Sequence, residues 1–153
     1  MSSLVIPAPF WRRCAALVYD SLLLLGLFLT GTLIAVIVRD ALGLVHEPIW
    51  AMRLWLLLLG FGFFGWSWTH GGRTPGMLAW RLQLRRIDGA SVRWPVAFLR
   101  YCAAWPSWGL CGLGALWCLV DSRRRAVHDL IAGTEMVCLP AAARGQRAGE
   151  TPA

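Results

Sequence analysis

Two long apolar runs organise the first half of the chain. Residues 14–38 are apolar almost throughout, with Asp20 as the ionisable interruption. A run of 18 or more apolar residues reads as a transmembrane helix, which places a first span at about 15–38. Residues 39–48, RDALGLVHEP, make a compact turn ending at Pro48. A second span follows at about 49–69, provided that Arg53 extends its charged head outward along an apolar stem. Trp11, Trp50, Trp55, Trp66 and Trp68 crowd the span ends, as aromatic belts do at a membrane interface. Pro7 and Pro9 keep the short leader out of helix.

Residues 70–94 change period. His70-Gly71-Gly72 and Pro75-Gly76 are strong breakers, and a short helix or turn is expected over 76–80. Leu82 and Leu84 then alternate with Arg81, Gln83 and Arg85, the period of two that marks a strand. Asp88-Gly89 is a hairpin signal of type I′, so a small β-hairpin is expected over 81–94. Residues 135–139 offer a further partner strand. Beyond Leu139 the tail, 140–153, lacks apolar periodicity and reads as disordered.

Residues 95–120 form a third apolar segment, interrupted by Arg100 and broken near Trp105-Pro106-Ser107. Arginine counts bear on its topology. Two precede the first span, one lies in 39–48, five in 70–94 and five in 121–153. The positive-inside tendency then puts the N-terminus, the 70–94 insert and the C-terminal region in the cytoplasm. Re-entry at Pro106 keeps Arg123, Arg124 and Arg125 inside, where irregular backbone must be surrounded by protein or water. A single kinked span is the alternative. The expected fold is an all-α integral membrane protein with two transmembrane helices, this third segment and a small cytoplasmic β-hairpin insert, over residues 9–139.

Composition supports that class. The 153 residues are 58% hydrophobic and 15% charged, against about 25% charged in soluble domains. All 15 basic residues are arginine and the net charge is +7. In so apolar a chain that charge points to orientation against a cytoplasmic leaflet rather than to nucleic acid. The expected partners are the lipid bilayer and either a second copy of the chain or another membrane protein. Cys14, Cys102, Cys111, Cys118 and Cys138 show no Cys-x-x-Cys spacing; four lie in or beside apolar segments, where Cys acts as a small hydrophobe. No nucleophile–base or metal constellation is visible, and GGRTPG lacks the Gly-Lys-Ser/Thr of a phosphate loop. No enzyme activity, metal or cofactor is expected.

The chemistry concentrates in a few polar positions. Arg13, Ala16 and Asp20 are spaced i, i+3, i+7 and fall on one helix stripe. Small Ala16 lets another segment approach that stripe. Arg13 and Asp20 lie about 10 Å apart along the axis, so Arg13 is expected to turn to the headgroups and Asp20 to need another partner. A charge inside a span costs about 2.5–3.5 kcal/mol on insertion scales. Arg100 lies at matching depth, and an Asp20–Arg100 pair is expected; Ser67, Thr69 and His70 stand at the same end of the second span. In the segment 121–134, Val127, Leu130 and Ile131 form a short apolar helical face that Gly133 is placed to stop. His128 and Asp129 are then directed back at the bundle mouth.

Arg13, Ala16 and Asp20, then Gly72-Arg73-Thr74-Pro75-Gly76, then His128-Asp129-Leu130-Ile131-Ala132-Gly133-Thr134 together resemble the RDD family of bacterial membrane proteins. The resemblance spans roughly residues 9–139. It maps the family's name-giving residues onto Arg13, Asp20 and Asp129 and implies a multi-pass protein of the bacterial cytoplasmic membrane. Family members commonly carry Lys after Thr-Pro-Gly, where Met77 stands here, so a cationic role for this loop rests on Arg73 or Arg81. The family's function is largely unassigned, with transport of ions or small ligands proposed. Two functions follow. One is a structural or interaction module centred on Arg13, Asp20, Arg100, His128, Asp129 and the loop residues Gly72, Thr74 and Gly76. The other is a component of an ion or small-ligand transporter in which Asp20 responds to an ion or proton.

Overall fold

The computed structural model describes residues 6–44, 48–110 and 112–139; the tail expected to be disordered lies outside them. Helix α1, Phe10–Ala41, has 32 residues and extends past both ends of the expected span. At 1.5 Å per residue it is about 48 Å long, more than the roughly 30 Å of a hydrocarbon core. Helix α2, Ile49–Thr69, follows Pro48 and has 21 residues. Both are long and apolar enough to cross a membrane. Leu22, Leu29, Leu33, Ile37 and Leu58 are each more than half exposed. Contiguous apolar surface on this scale marks a membrane or protein contact.

Glycines let α1 and α2 meet. A Cβ at Gly31 would lie 2.5 Å from Leu59 Cδ1, and one at Gly60 would lie 2.8 Å from Tyr101 Oη and 3.5 Å from Phe28. The indole of Trp55 donates to the Gly31 carbonyl at 3.2 Å. Rising numbers on α1 meet falling numbers on α2, so the two helices run antiparallel.

Helix α3, Pro75–Ala79, is capped by Thr74, whose hydroxyl accepts from Met77 N at 3.1 Å. Proline at the first helical position suits this start, because its missing N–H has no partner there in any case. The sheet departs from the expected hairpin. Strand β1 (Ile6–Pro7), β2 (Leu82–Arg86) and β3 (Thr134–Cys138) form a three-stranded antiparallel sheet in the order β1-β3-β2. Leu82 pairs with Cys138, Leu84 with Met136 and Arg85 with Glu135, so 135–139 is the partner strand and 90–94 is not. The Asp88-Gly89 turn does form: Asp88 Oδ1 accepts from Ala90 N at 3.0 Å, with Gly89 at φ +82°. The chain cannot continue up the free edge of β2, because the Gly72 carbonyl already accepts from Leu84 N there at 2.7 Å. Pro95 then starts the next helix.

That helix, α4 (Trp94–Gly109), runs through Pro106 without breaking. One proline removes one backbone hydrogen bond; the change of direction comes after Gly109, where Gly112 takes a left-handed φ of +76°. Helix α5 (Leu113–Leu116) and a 3₁₀ turn (Trp117–Leu119) follow, bent 108° from α4. The break therefore falls after Gly109, not at Pro106. Gly114 rests on Ser107, where a Cβ would come within 2.7 Å. Helix α6 (Val127–Ile131) ends before Gly133 at φ +62° and leads into β3.

The core sits at one end of the bundle, where Ala8, Ala16, Trp68, Met77, Leu82, Leu84, Val92 and Ala97 are buried together. It joins the start of α1, the end of α2, α3, the start of α4 and the sheet.

Candidate functional site

Asp20 does not pair with Arg100. Its Oδ2 accepts from Thr74 Oγ1 at 2.5 Å and its Oδ1 from Gly76 N at 2.8 Å. Thr74, in turn, caps α3, so one carboxylate and one hydroxyl fix the loop to the helix. Close approach is obligatory here. A Cβ at Gly76 would lie 2.3 Å from the Ala16 carbonyl and 2.8 Å from Asp20 Oδ1. Gly72 does the same against the sheet: at φ +71°, a Cβ would meet Leu84 O at 2.3 Å. The Gly-x-Thr-x-Gly pattern is thus two contact points and a cap between them. Ser67 and Thr69 spend their hydroxyls on their own helix, on Phe63 O and Gly65 O. His70 Nδ1 lies 3.1 Å from Trp66 O. None of the three serves Asp20.

Arg100 belongs instead to Asp129. Its Nη1 donates to Asp129 Oδ1 and, at 2.9 Å, to Thr134 Oγ1. Its guanidinium carbon lies 4.9 Å from the Trp68 ring centre, within reach of the ring's electrostatic attraction for a cation. Asp129 Oδ2 accepts from Arg13 Nη1 at 3.0 Å and from Ala126 N at 3.1 Å. The last bond satisfies an orphan N–H at the start of α6. Arg13 also donates to the carbonyls of Arg124 at 2.6 Å and Ala8 at 3.3 Å. Arg124, at φ +53°, holds the left-handed turn that presents its carbonyl. Arg13 is therefore an internal tie rather than a headgroup contact; its side chain is only 11% exposed.

The electrostatics follow from this packing. Asp129 is fully buried. Burial resists its ionisation, but the Arg100 and Arg13 cations and the Ala126 N–H hold the carboxyl below its ordinary value. His128 lies beside it, with Nε2 3.8 Å from Asp129 Oδ1. Burial, reinforced by Arg100 and Arg13 against the opposing pull of Asp129, lowers its pKa to about 4, so its imidazole is neutral at pH 7.

The expected residues fall into two clasps: Asp20 with Gly76 and Thr74, and Asp129 with Arg13 and Arg100. Thr134, Trp68 and the Arg124 carbonyl complete the second and were not anticipated. Thr134 closes the His-Asp-Leu-x-Ala-Gly-Thr motif, which was its one signal. Met77 is buried in the core. Among the described residues, neither Arg73 nor Arg81 forms an ion pair or side-chain hydrogen bond at this site. Nor do three His, Cys, Asp or Glu side chains gather as metal ligands among the described residues.

A cavity of about 500 Å³ adjoins both clasps, between α1, α2, α4 and α5. Comparison with curated proteins and with solved structures gives no match. A model of the RDD family matches residues 7–133, and the chain belongs to that family.

Proposed function

We propose that the chain is a multi-pass protein of the bacterial cytoplasmic membrane and acts as a structural or interaction module, with its N-terminus and its two clasps on the cytoplasmic side. The observation that carries this reading is the saturation of Asp129 by donors from α1, α4 and α6. Under this reading the carboxylate fastens three parts of the chain together. Buried ionic groups of this kind specify one arrangement among alternatives. The apolar flanks of α1 and α2 support insertion, and the arginine distribution supports the orientation. The bend after α4 supports re-entry of the third segment, which keeps Arg123–Arg125 with the other cytoplasmic arginines. The partner is a second copy or another membrane protein. The reading assigns the chain no catalytic step.

A second reading, transport, has one observation in its favour: Asp20 lines the cavity, and carboxylates within spans mark ion or proton pathways by default. Asp20→Asn in proteoliposomes separates the two. Under the structural reading the wild type shows no ion flux under any imposed gradient and the variant loses folded yield. Wild-type flux that the variant abolishes at normal yield would establish transport instead. Cysteines placed at 123–125 report the topology, and labelling from the periplasmic side would refute re-entry.

A further inference from the structure

The cavity is polar at one end only. Arg13, Asp20, Ser21, Arg100 and His128 line the end beside the clasps. Gly60 meets both Phe28 and Tyr101, which sets the level of the opposite end. There Phe28, Gly60, Trp105 and Trp108 line it, with no charged group among them. From Arg13 to Phe28 the slot follows α1 for about 22 Å, more than the roughly 15 Å of one hydrocarbon leaflet, half of about 30 Å. Its volume lies within the range of about 300–1,000 Å³ usual for small-molecule sites.

Two buried nitrogens of residues at the polar end have no partner among the described residues. Arg100 is 4% exposed, yet its Nε finds no acceptor among the described residues, and neither does His128 Nδ1 find a partner. Arg13 and Arg100, both lining this end, are two cations that share the one carboxylate of Asp129, an excess of positive charge that favours an acceptor supplied from outside the chain. Asp20, at the same end, has each oxygen engaged by Thr74 or Gly76. A headgroup of negative charge or strong acceptor character suits an end lined by Arg13, Arg100 and His128.

We propose that this cavity binds a single-chain amphiphile with an anionic oxygen headgroup, seated against Arg100 and His128 with its chain running toward Phe28 and Trp108. The site is a ligand function beyond the module reading and does not depend on it. A long-chain carboxylate of the surrounding bilayer has the required shape: an acceptor head with one unbranched tail. The aromatic and aliphatic walls supply apolar contact along the tail, and the guanidinium sets polarity and register.

The test uses the purified full chain, delipidated in non-ionic detergent, with radiolabelled hexadecanoate as probe. Saturable binding is expected, displaced about tenfold less well by hexadecanol, the uncharged analogue, as loss of one charge-assisted hydrogen bond implies. Ala104→Trp adds bulk on the tail side of the cavity, one helical turn beyond Arg100. It is expected to lose hexadecanoate while keeping octanoate, a change in chain-length preference that misfolding does not produce. His128→Leu is expected to weaken hexadecanoate and leave hexadecanol unchanged, at an unaltered melting temperature. Equal displacement by hexadecanol would overturn the head assignment. Stronger displacement by hexadecylamine would shift the site to Asp20 and a cationic head. Stronger displacement by diacyl phosphatidylglycerol would refute a single-chain ligand. An unchanged chain-length preference in Ala104→Trp would refute the placement of the tail.

Discussion

Arg13 Nη1 donates to Asp129 Oδ2 at 3.0 Å across 116 positions of sequence. This pair closes the two ends of the family-matched region, 7–133, onto each other. Because Asp129 also accepts from Arg100 and Ala126 N, the start of α1, the middle of α4 and the whole of α6 share one carboxylate. Every contact is made at the end of the bundle where the sheet and α3 also pack.

Asp129→Asn removes the charge that two buried guanidinium groups share. Breaking a buried pair by deleting one partner costs about 3–5 kcal/mol, and here it leaves two like charges facing each other. The expected outcome is loss of monodisperse protein in detergent, read by fluorescence-detected size exclusion. Normal yield and melting temperature would show that the clasp contributes little.

Gly76→Ala tests the approach of the loop to α1. Its Cβ would lie 2.3 Å from the Ala16 carbonyl, and overpacking of this kind costs about 1–3 kcal/mol. Gly62→Ala is the control, since a Cβ there meets nothing within 4 Å. It is expected to leave stability unchanged or raise it by about 0.5–1 kcal/mol through helix propensity. Equal melting temperatures for the two variants would contradict the docking described here.

Thr74 serves Asp20 as a donor and Met77 N as an acceptor. Thr74→Val keeps the shape and removes both bonds, with an expected loss of about 1–3 kcal/mol. Thr74→Ser retains the hydroxyl and is expected to lie near the wild type. Chemical denaturation of the two in the same detergent distinguishes hydrogen bonding from packing; equal loss in both would assign the effect to the methyl group.

Acidification acts first on His128. Its pKa is about 4 folded against an ordinary 6.5, so below 6.5 the unfolded chain binds the proton more readily. Stability is full above pH 6.5 and falls as pH drops toward 4, by about 3 kcal/mol at 1.36 kcal/mol per unit. Below that, Asp129, whose folded value is depressed below 3.8, adds a further loss as it protonates. Melting temperature measured from pH 8 to 4 is expected to decline in the wild type and to flatten in His128→Gln. A parallel decline in both would assign the acid sensitivity to another group.

The strand pair gives a weaker test. Arg85 Nη2 lies 2.6 Å from Glu135 Oε1, opposite it in register, and both are partly exposed. Glu135→Gln is expected to cost no more than about 1 kcal/mol, with the difference shrinking as salt is added. A larger, salt-insensitive loss would show that the pair is effectively desolvated.

Much of this architecture was legible in the chain itself, wherever the information was local. Runs of apolar residues between Pro9, Pro48 and Gly71 delimit α1 and α2, because helix length and breakers are properties of neighbouring residues. The alternation of Leu82 and Leu84 marked β2, and the spacing of Arg13, Ala16 and Asp20 placed them on one stripe. Tertiary structure decided what each group meets. Depth along the helices favoured Arg100 for Asp20, but depth is one coordinate and pairing needs three. Only the folding of α3 against α1, through Gly76, brought neutral donors to Asp20 and released Arg100 to Asp129. In the same way, the turn at Asp88-Gly89 was encoded locally, while the strand that pairs with β2 lies some fifty residues further on. Periodicity fixes which face a residue occupies; the partner across that face depends on backbone brought together from distant parts of the chain, where a single missing Cβ determines how close two segments come.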